Sequence, residues 1–262
     1  EAKEAVHSIM EDKIFGASGN QVVVEEFITG PEVSVLSFTD GKTVVPMVSS
    51  KDHKRAYDGD RGLNTGGMGT ISPNPHYSGE MAQRCMKEIF QPTIDAMREE
   101  GRPFQGCLYF GLMLTQDGPK VIEYNSRFGD PETQVVLPRL KTDLVEILEA
   151  CIDGTLKELD IQWSDEAAAC VVMASGGYPK SYPKGIEIKG LDENGQISGA
   201  TVYHAGTVYR DGRFFTNGGR VLGVTACGAG LDEALEKAYD AVERISFDGA
   251  HYRKDIGKIG IQ

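Results

Sequence analysis

The sequence predicts an α+β fold, and three observations predict it. Three apolar runs double back at Asp-Gly turns, at 33–48, 108–124 and 202–216, the pattern of β-hairpins. Amphipathic helical stretches lie apart from these hairpins instead of alternating with single strands. After residue 163 the chain reads as Gly-rich strands with one helix.

The elements follow in order. Residues 1–15 carry Ala2, Ala5, Val6, Ile9 and Met10 at helical spacing and run into Gly16 and Gly19. The stretch 21-QVVVEEF-27 reads as a strand. A helix over about 79–100 has Met81, Cys85, Ile89, Phe90, Ile94 and Met97 as its apolar positions, with Pro92 expected to kink or split it. A helix over 142–153 is expected to be capped by Thr142, to bury Leu144, Ile147, Leu148, Cys151 and Ile152, and to end at Gly154. The polar, acidic stretch 155–168 is the expected domain boundary. A last helix over 231–245 turns Leu231, Leu235, Ala238, Val242 and Ile245 inward and pairs Glu233 with Lys237.

Composition narrows the function classes. The 262 residues are 40% apolar and 25% charged, with a net charge of -12. That balance argues against general nucleic-acid binding, which uses a basic surface. Five cysteines without a C-x-x-C pair, in apolar surroundings, read as reduced thiols of a cytoplasmic protein. No apolar run reaches membrane-spanning length. No His pair has zinc-ligand spacing, and no G-x-S-x-G occurs.

Three polar clusters need a purpose. The run 119-PKVI-122 continues into 123-EYNSRFGDPETQ-134, and alternation puts Glu123, Asn125 and Arg127 on one strand face. An apolar core rejects such a set, because an unpaired buried charge is costly. Glu123 and Asn125 supply hard oxygens suited to Mg²⁺ (or Mn²⁺), and Arg127 a guanidinium suited to phosphate. An exposed edge-strand face with an ordinary ion pair would also explain them. In 25-EEFITGPE-32, the backbone at Phe27 and Ile28 can read an adenine edge with Glu25 accepting from its amino group, while Glu32 can accept from ribose hydroxyls. A strand leaving the core through solvated acids is the plainer reading. The segment 51-KDHKRAYDGDRGLNTGGMGT-70 concentrates Lys51, Lys54, Arg55 and Arg61, with His53 as a candidate fifth cation, alongside Gly62, Gly66, Gly67 and Gly69. Gly-rich backbone can approach a phosphate closely. The spacing is not that of a P-loop, and a solvated loop is the alternative.

Taken in order with 176-GGYPKSYPKG-185, 205-AGT-207, 216-TNGGRVLGVTA-226 and 252-YRKDIG-257, these runs resemble the glycinamide ribonucleotide synthetase family of ATP-grasp ligases over essentially the whole chain. NTGGMG and RFGDPE carry most of the specificity. The resemblance implies an ATP-grasp fold, incomplete at its N-terminus, followed by a small β-rich domain: lid remainder at 1–26, core at 27–162, C-terminal domain at 163–262. It implies ATP-dependent joining of glycine to 5-phosphoribosylamine through a glycyl phosphate. Adenine would sit at Glu25, Phe27 and Ile28, ribose at Glu32, and metal at Glu123 and Asn125. Arg127 and Asp52 would be catalytic. Lys54, Arg55, Asn64, Thr65, Gly66, Gly67, Met68 and Gly69 would line the acceptor pocket, with Asp130 and Glu132 helping to hold glycine or the amine.

Family members commonly have Gln and Pro where this chain has Lys51 and Leu63. The strand 107-CLYFGLMLT-115 lacks the metal-binding carboxylate many ATP-grasp enzymes place there, so Glu123 is expected to serve both ions if two bind. The resemblance also implies a preceding Rossmann-like domain and lid elements of the same parent chain that this sequence does not contain. The sequence is therefore expected to be a weak catalyst alone, and the C-terminal module to be structural. The competing readings are another ATP-grasp carboxylate–amine ligase and a non-catalytic nucleotide-binding fragment.

Overall fold

In the computed structural model, residues 2–258 are described. Glu1, part of the expected first helix, and 259–262, the end of the expected C-terminal domain, lie outside the described residues. The chain opens with α1 (Ala2–Met10), shorter than expected, and a 3-10 turn at Gly16–Asn20. The expected strand at 21–27 is absent: the stretch pairs with no strand among the described residues, and Val23, Val24 and Phe27 are at least 84% exposed. Its composition suits a strand, but a strand needs a ladder partner.

The first hairpin forms as expected, β1 (Glu32–Asp40) with β2 (Val44–Pro46) around Gly41 at φ +87°. Short strands follow: β3 (Lys51–Asp52), the exposed hairpin β4 (Arg55–Tyr57) and β5 (Arg61–Asn64), and β6 (Gly69–Ser72). The helix ahead of β7 splits as expected: α2 (Gly79–Cys85), a π segment at Met86–Phe90, and α3 (Gln91–Glu99). Pro92 has no N–H to return to the preceding turn, and the π segment stands at that place. The second hairpin, β7 (Gln105–Thr115) with β8 (Gly118–Asn125), completes a four-stranded sheet ordered β2-β1-β7-β8.

Helices cover both faces of that sheet. Val33, Val35, Phe110 and Leu112 pack with Cys85, Phe90 and Ile94 on one side. Leu36, Phe38, Cys107 and Tyr109 pack with Ile147 and Cys151 on the other. The period of two is intact, although both faces are buried and β1 shows no polar alternation.

After the short α4 (Thr133–Val136) comes α5 (Leu144–Asp153), whose cap is Asp143: its Oδ1 accepts from Val145 N at 2.7 Å. Thr142, the expected cap, accepts from Gln162 N instead. Ile152 is 74% exposed, and Ala150 takes the inward position expected of it. Gly154 ends the helix at φ +74°.

The C-terminal part supplies β9 (Ala167–Ala174), β10 (Glu187–Ile188), β11 (Thr201–His204), β12 (Thr207–Arg210), β13 (Arg213–Thr216), β14 (Arg220–Gly228) and α6 (Leu231–Arg244). The expected hairpin over 202–216 is two units. Only β12 and β13 form it, around Asp211-Gly212, while β11 pairs with β14. The Gly206 backbone turns the chain between them against Val221 O. The five-stranded sheet runs β11-β14-β9-β6-β3, so two strands from before residue 163 complete the C-terminal sheet. Within β9, Ala169, Val171 and Met173 face the core of α6, and Ala168 and Cys170 face the core of α5. In α6, Glu233 and Lys237 pair at 2.7 Å as expected; Ala238, Val242 and Ile245 are buried as expected, Leu231 and Leu235 pack against the same core partly buried, and Ala234 and Ala241 join the buried face. All five cysteines are unpaired, four of them buried. Among the described residues, no helix is long and apolar enough to cross a membrane.

Arg253 is 1% exposed and fastens the β4–β5 hairpin to the C-terminal module. It donates to Asp60 Oδ1 (2.7 Å), to both Asp255 oxygens (2.7 and 2.8 Å) and to Arg55 O (3.2 Å). Arg253→Leu removes all these bonds, but the solvent-exposed Asp60 can be rehydrated, so the expected cost is about 1–3 kcal/mol, read as a lower urea midpoint with an unchanged slope.

Candidate functional site

Strand β8 carries the first group of site residues. It pairs with β7 through a bulge, Gly111 opposite Glu123 but Leu112 opposite Val121. Such a bulge re-aims the strand beyond it. Glu123, Asn125 and Arg127 all line one cavity of about 220 Å³, as alternation predicts, although β8 ends at Asn125. Gly111 is required opposite them, since a methyl group there would lie 2.8 Å from Glu123 Cγ. Arg127 Nη1 donates to Phe128 O at 2.9 Å.

The facing wall comes from the loop between β3 and β6. Asp52, Lys54, Thr65 and Gly66 line it. Thr65 ties the loop to itself: its hydroxyl donates to Lys54 O (2.8 Å) and accepts from Gly67 N (3.0 Å). Gly67, at φ +112°, packs where a methyl group would meet Pro131 Cδ and lie 2.7 Å from Asp52 Oδ1. Tyr109, Gly129, Asp130 and Glu132 close the floor. Four carboxylates thus share the cavity with two cations, Lys54 and Arg127. Lys54 Nζ stands 3.7 Å from Glu123 Oε1 and 3.6 Å from Glu32 Oε2.

The floor contains two carboxyls with different support. Glu132 is buried, and its Oε1 accepts from Ser34 Oγ (3.3 Å) and Tyr109 OH (3.2 Å). Asp52 Oδ1 is sealed from solvent and has no hydrogen-bond partner. Burial, then the Glu132 charge, pushes the Asp52 carboxyl well above the usual carboxylate range. Burial also raises Glu132, opposed by its hydroxyl donors and by Lys54. Burial works against the Lys54 charge, but Glu32, Asp52, Glu123 and Glu132 outweigh it and leave the ammonium strengthened. Of the pair, Asp52 is the oxygen set better suited to carry a proton, because nothing else is bonded to its inner oxygen.

The other expected residues lie elsewhere. Met68 is fully buried core, and Gly69 belongs to β6, pressed against Ile256 and Cys170 O. Arg55 and Asn64 pair across the exposed β4–β5 hairpin, with Arg55 donating to Gly62 O at 2.8 Å. Glu25, Phe27 and Ile28 sit on the 21–27 stretch and just beyond it and are not among the residues lining the cavity; Glu32 does not line it either but pairs with Lys54, which does. His53 is no fifth cation. It donates from Nδ1 to Gly69 O (3.2 Å) and accepts at Nε2 from Gly257 N (3.2 Å), and burial, reinforced by Arg253 and Lys51, lowers it to about 4.

Sequence reasoning missed Ser34, Tyr109, Tyr178 and Arg220. The first two are hydroxyls inside largely apolar strands, a legible signal. Tyr178 OH accepts from Gly66 N at 3.1 Å, and Arg220 pairs with Asp130 Oδ1 at 3.0 Å; both come from stretches to which the sequence attaches no chemistry.

The donor set fits Mg²⁺. Glu123 and Asn125 offer hard oxygens to the cavity, and the Lys54 ammonium shows that a cation is favoured against Glu123. Among the described residues no cluster of three His, Cys, Asp or Glu could hold a metal by itself. Mg²⁺ commonly takes one or two protein oxygens and completes its shell with phosphate and water.

With this geometry in place, the chain can be compared with known proteins. Residues 1–133 match the model of the phosphoribosylglycinamide synthetase ATP-grasp (A) domain, and residues 168–259 that of the C domain. A phosphoribosylamine–glycine ligase of Caldanaerobacter subterraneus subsp. tengcongensis is 50% identical over 256 residues, 98% of this chain and 61% of the relative. The trifunctional purine biosynthetic protein adenosine-3 of Gallus gallus is 54% identical over 258 residues, 98% of this chain and 26% of that protein. The crystal structure of phosphoribosylamine–glycine ligase from Thermotoga maritima superposes with a TM-score of 0.84 at 34% identity, covering 97% of this chain and 63% of that one. The chain therefore spans less than two thirds of the length of each of these relatives.

The neutral His53 makes a pH prediction. Its folded value near 4 lies below the ordinary 6.5, so between these values the unfolded chain binds the extra proton. Its share of stability is full above pH 6.5 and is lost as pH falls towards 4, on the order of 3 kcal/mol in all. Urea unfolding at pH 7.5 and 4.5 is expected to show a smaller pH difference for His53→Gln than for the parent chain.

Proposed function

The chain belongs to the phosphoribosylglycinamide synthetase family, and from that premise we propose that the protein containing it joins glycine to 5-phosphoribosylamine at the expense of ATP. The observation that carries the reading is the single cavity that sets Glu123, Asn125 and Arg127 opposite Asp52, Lys54, Thr65 and Gly66.

The chemistry has two steps. A glycine carboxylate oxygen attacks the γ-phosphorus and the bond to ADP breaks, giving an acyl phosphate. The amine nitrogen then attacks the carbonyl carbon, phosphate leaves with the C–O bonding pair, and the nitrogen gives up a proton. Two anions must meet in the first step, so cationic groups at the meeting point lower the barrier. Arg127, with one N–H engaged by Phe128 O, presents its remaining donors to the transferring phosphoryl group. Mg²⁺ bound with the nucleotide at Glu123 and Asn125 would supply further charge neutralisation there. Lys54 keeps these carboxylates from repelling the incoming substrate.

In the second step Asp52 accepts the proton from the amine. Asp52 lines the cavity, and burial beside the Glu132 charge raises its proton affinity above that of an ordinary carboxylate, which favours proton uptake. Glu132, held by two hydroxyls, keeps the negative charge of the pair. Adenine and ribose recognition by Glu25, Phe27, Ile28 and Glu32 is part of the same proposal; the open 21–28 stretch leaves that backbone accessible. The unpaired cysteines support a reducing, cytoplasmic setting.

The test is ADP release by the full-length protein with Mg²⁺ and ATP. Release that needs both glycine and phosphoribosylamine is expected; release driven by another acid would move the protein to a different carboxylate–amine ligase. Asp52→Asn is expected to lower kcat by about 10²–10⁴ and to abolish the acid limb of the pH–rate profile. An acid limb that survives in this variant would remove Asp52 from the role of base.

A further inference from the structure

We infer that Arg220 and Tyr178, from the C-terminal module, are positioning residues that hold the 65–67 loop in its amine-binding shape. The inference rests on the proposed reading of that loop as the phosphoribosylamine pocket, and makes the C-terminal module part of the site.

The loop is gripped on both sides of one residue. The Gly66 N–H donates to Tyr178 OH at 3.1 Å, and the Gly66 carbonyl accepts from Arg220 Nη1 at 2.7 Å. The same Nη1 reaches Asp130 O at 2.9 Å, Gly67 O at 3.5 Å and Asp130 Oδ1 at 3.0 Å. One guanidinium nitrogen therefore joins the two walls of the cavity, the loop and the 129–132 turn. The planar guanidinium holds this donor in a fixed orientation, which the freely rotating ammonium of a lysine does not. The guanidinium lies flat on the Gly66 backbone, where a methyl group would be 3.0 Å from Arg220 Cζ. On the opposite side Pro131 and Asp52 back Gly67. Arg220 on Gly66 and Pro131 with Asp52 on Gly67 thus pack closely against the loop.

Three sequence stretches without assigned chemistry build the support. Gly219 leaves space for the Tyr178 ring, and Gly206 and Gly218 touch backbone to backbone. Asn217 N donates to Gly206 O (2.7 Å), and Ser175 Oγ to Gly218 O (2.8 Å). The ladder between β14 and β9 shifts register between Arg220 and Leu222, so Arg220 leaves the regular sheet at the point where its side chain turns to the loop. The nucleotide side is supported separately, by the β7–β8 hairpin. Loss of the clamp is therefore expected to affect the amine and not ATP.

The experiment uses the full-length protein as parent, Arg220→Ala, Arg220→Lys and Tyr178→Phe, with Arg213→Ala, an exposed ion-pair residue of β13, as control. Amide hydrogen exchange reads the clamp without reference to activity. Steady-state kinetics with ATP and glycine saturating reads its consequence. For Arg220→Ala, exchange at Gly66 and Gly67 should rise about tenfold or more, and the KM for phosphoribosylamine by a similar factor. ATP affinity should stay within about twofold. Tyr178→Phe and Arg220→Lys should fall between that variant and the parent. Unchanged exchange at 66–67 would overturn the inference. So would an equal rise across β7, which is the mark of general loosening, or an unchanged KM in an active enzyme. If the parent protein does not use phosphoribosylamine, the proposed function fails on that result, and the clamp stands or falls on exchange alone.

Discussion

The pairing of β6 with β9 is the constraint on which the rest of the structure depends. Gly69, Thr70, Ile71 and Ser72 lie opposite Val171, Cys170, Ala169 and Ala168, and every residue of both strands is buried. The small side chains of β9 let two cores approach from its two faces, α6 on one and α5 on the other. The loop before β6 cannot move independently of this ladder. Met68 O takes a hydrogen bond from Val172 N, and Met68 N donates to His53 O. The loop wall of the cavity thus inherits its position from the C-terminal sheet, while the opposite wall inherits its own from β7 and β8.

That arrangement explains the electrostatics. A cavity holding four carboxylates and two cations would repel the anionic substrates proposed for it if all its acids were ionised and unpaired. Pairing removes most of that difficulty. Lys54 bridges Glu32 and Glu123, Arg220 takes Asp130, and hydroxyls from Ser34 and Tyr109 satisfy Glu132. Asp52 alone of the four keeps an inner oxygen without a partner, and burial beside the Glu132 carboxyl raises its proton affinity. The acidic character of the chain as a whole is compatible with the proposed anion-binding site because neutralisation is local.

Much of this was legible in the sequence, for reasons that are local. Asp-Gly turns and period-two runs placed the β1–β2 and β7–β8 hairpins. The same period brought Glu123, Asn125 and Arg127 to one face, and Pro92 marked the helix interruption. What failed was nonlocal. The 21–27 stretch has strand composition but no partner, and composition cannot report a partner. The 202–216 run looked like one hairpin because its alternation passes smoothly through Ala205-Gly206, although β11 belongs to another sheet. His53 stood among basic residues and read as a possible cation, yet burial makes it neutral. Asp52 and Glu132 became site residues only through family resemblance, since no spacing rule links positions so far apart.

The most distant relation in the site is also the one that shapes it most directly. Arg220 and Gly66 are 154 residues apart and lie 2.7 Å from each other. No periodicity reaches that far, but the glycines mark it afterwards. Gly66 is flat under a guanidinium, Gly219 under a phenol ring, and Gly206 and Gly218 against each other. A chain that needed only tight turns and helix ends would place glycine at positions with positive φ, as at Gly41, Gly154 and Gly212. None of the four glycines around Arg220 has a positive φ, so close approach and not turn geometry is what requires them. Glycine used for approach draws two segments together, and here the segments are a cavity wall and the strand that carries its arginine.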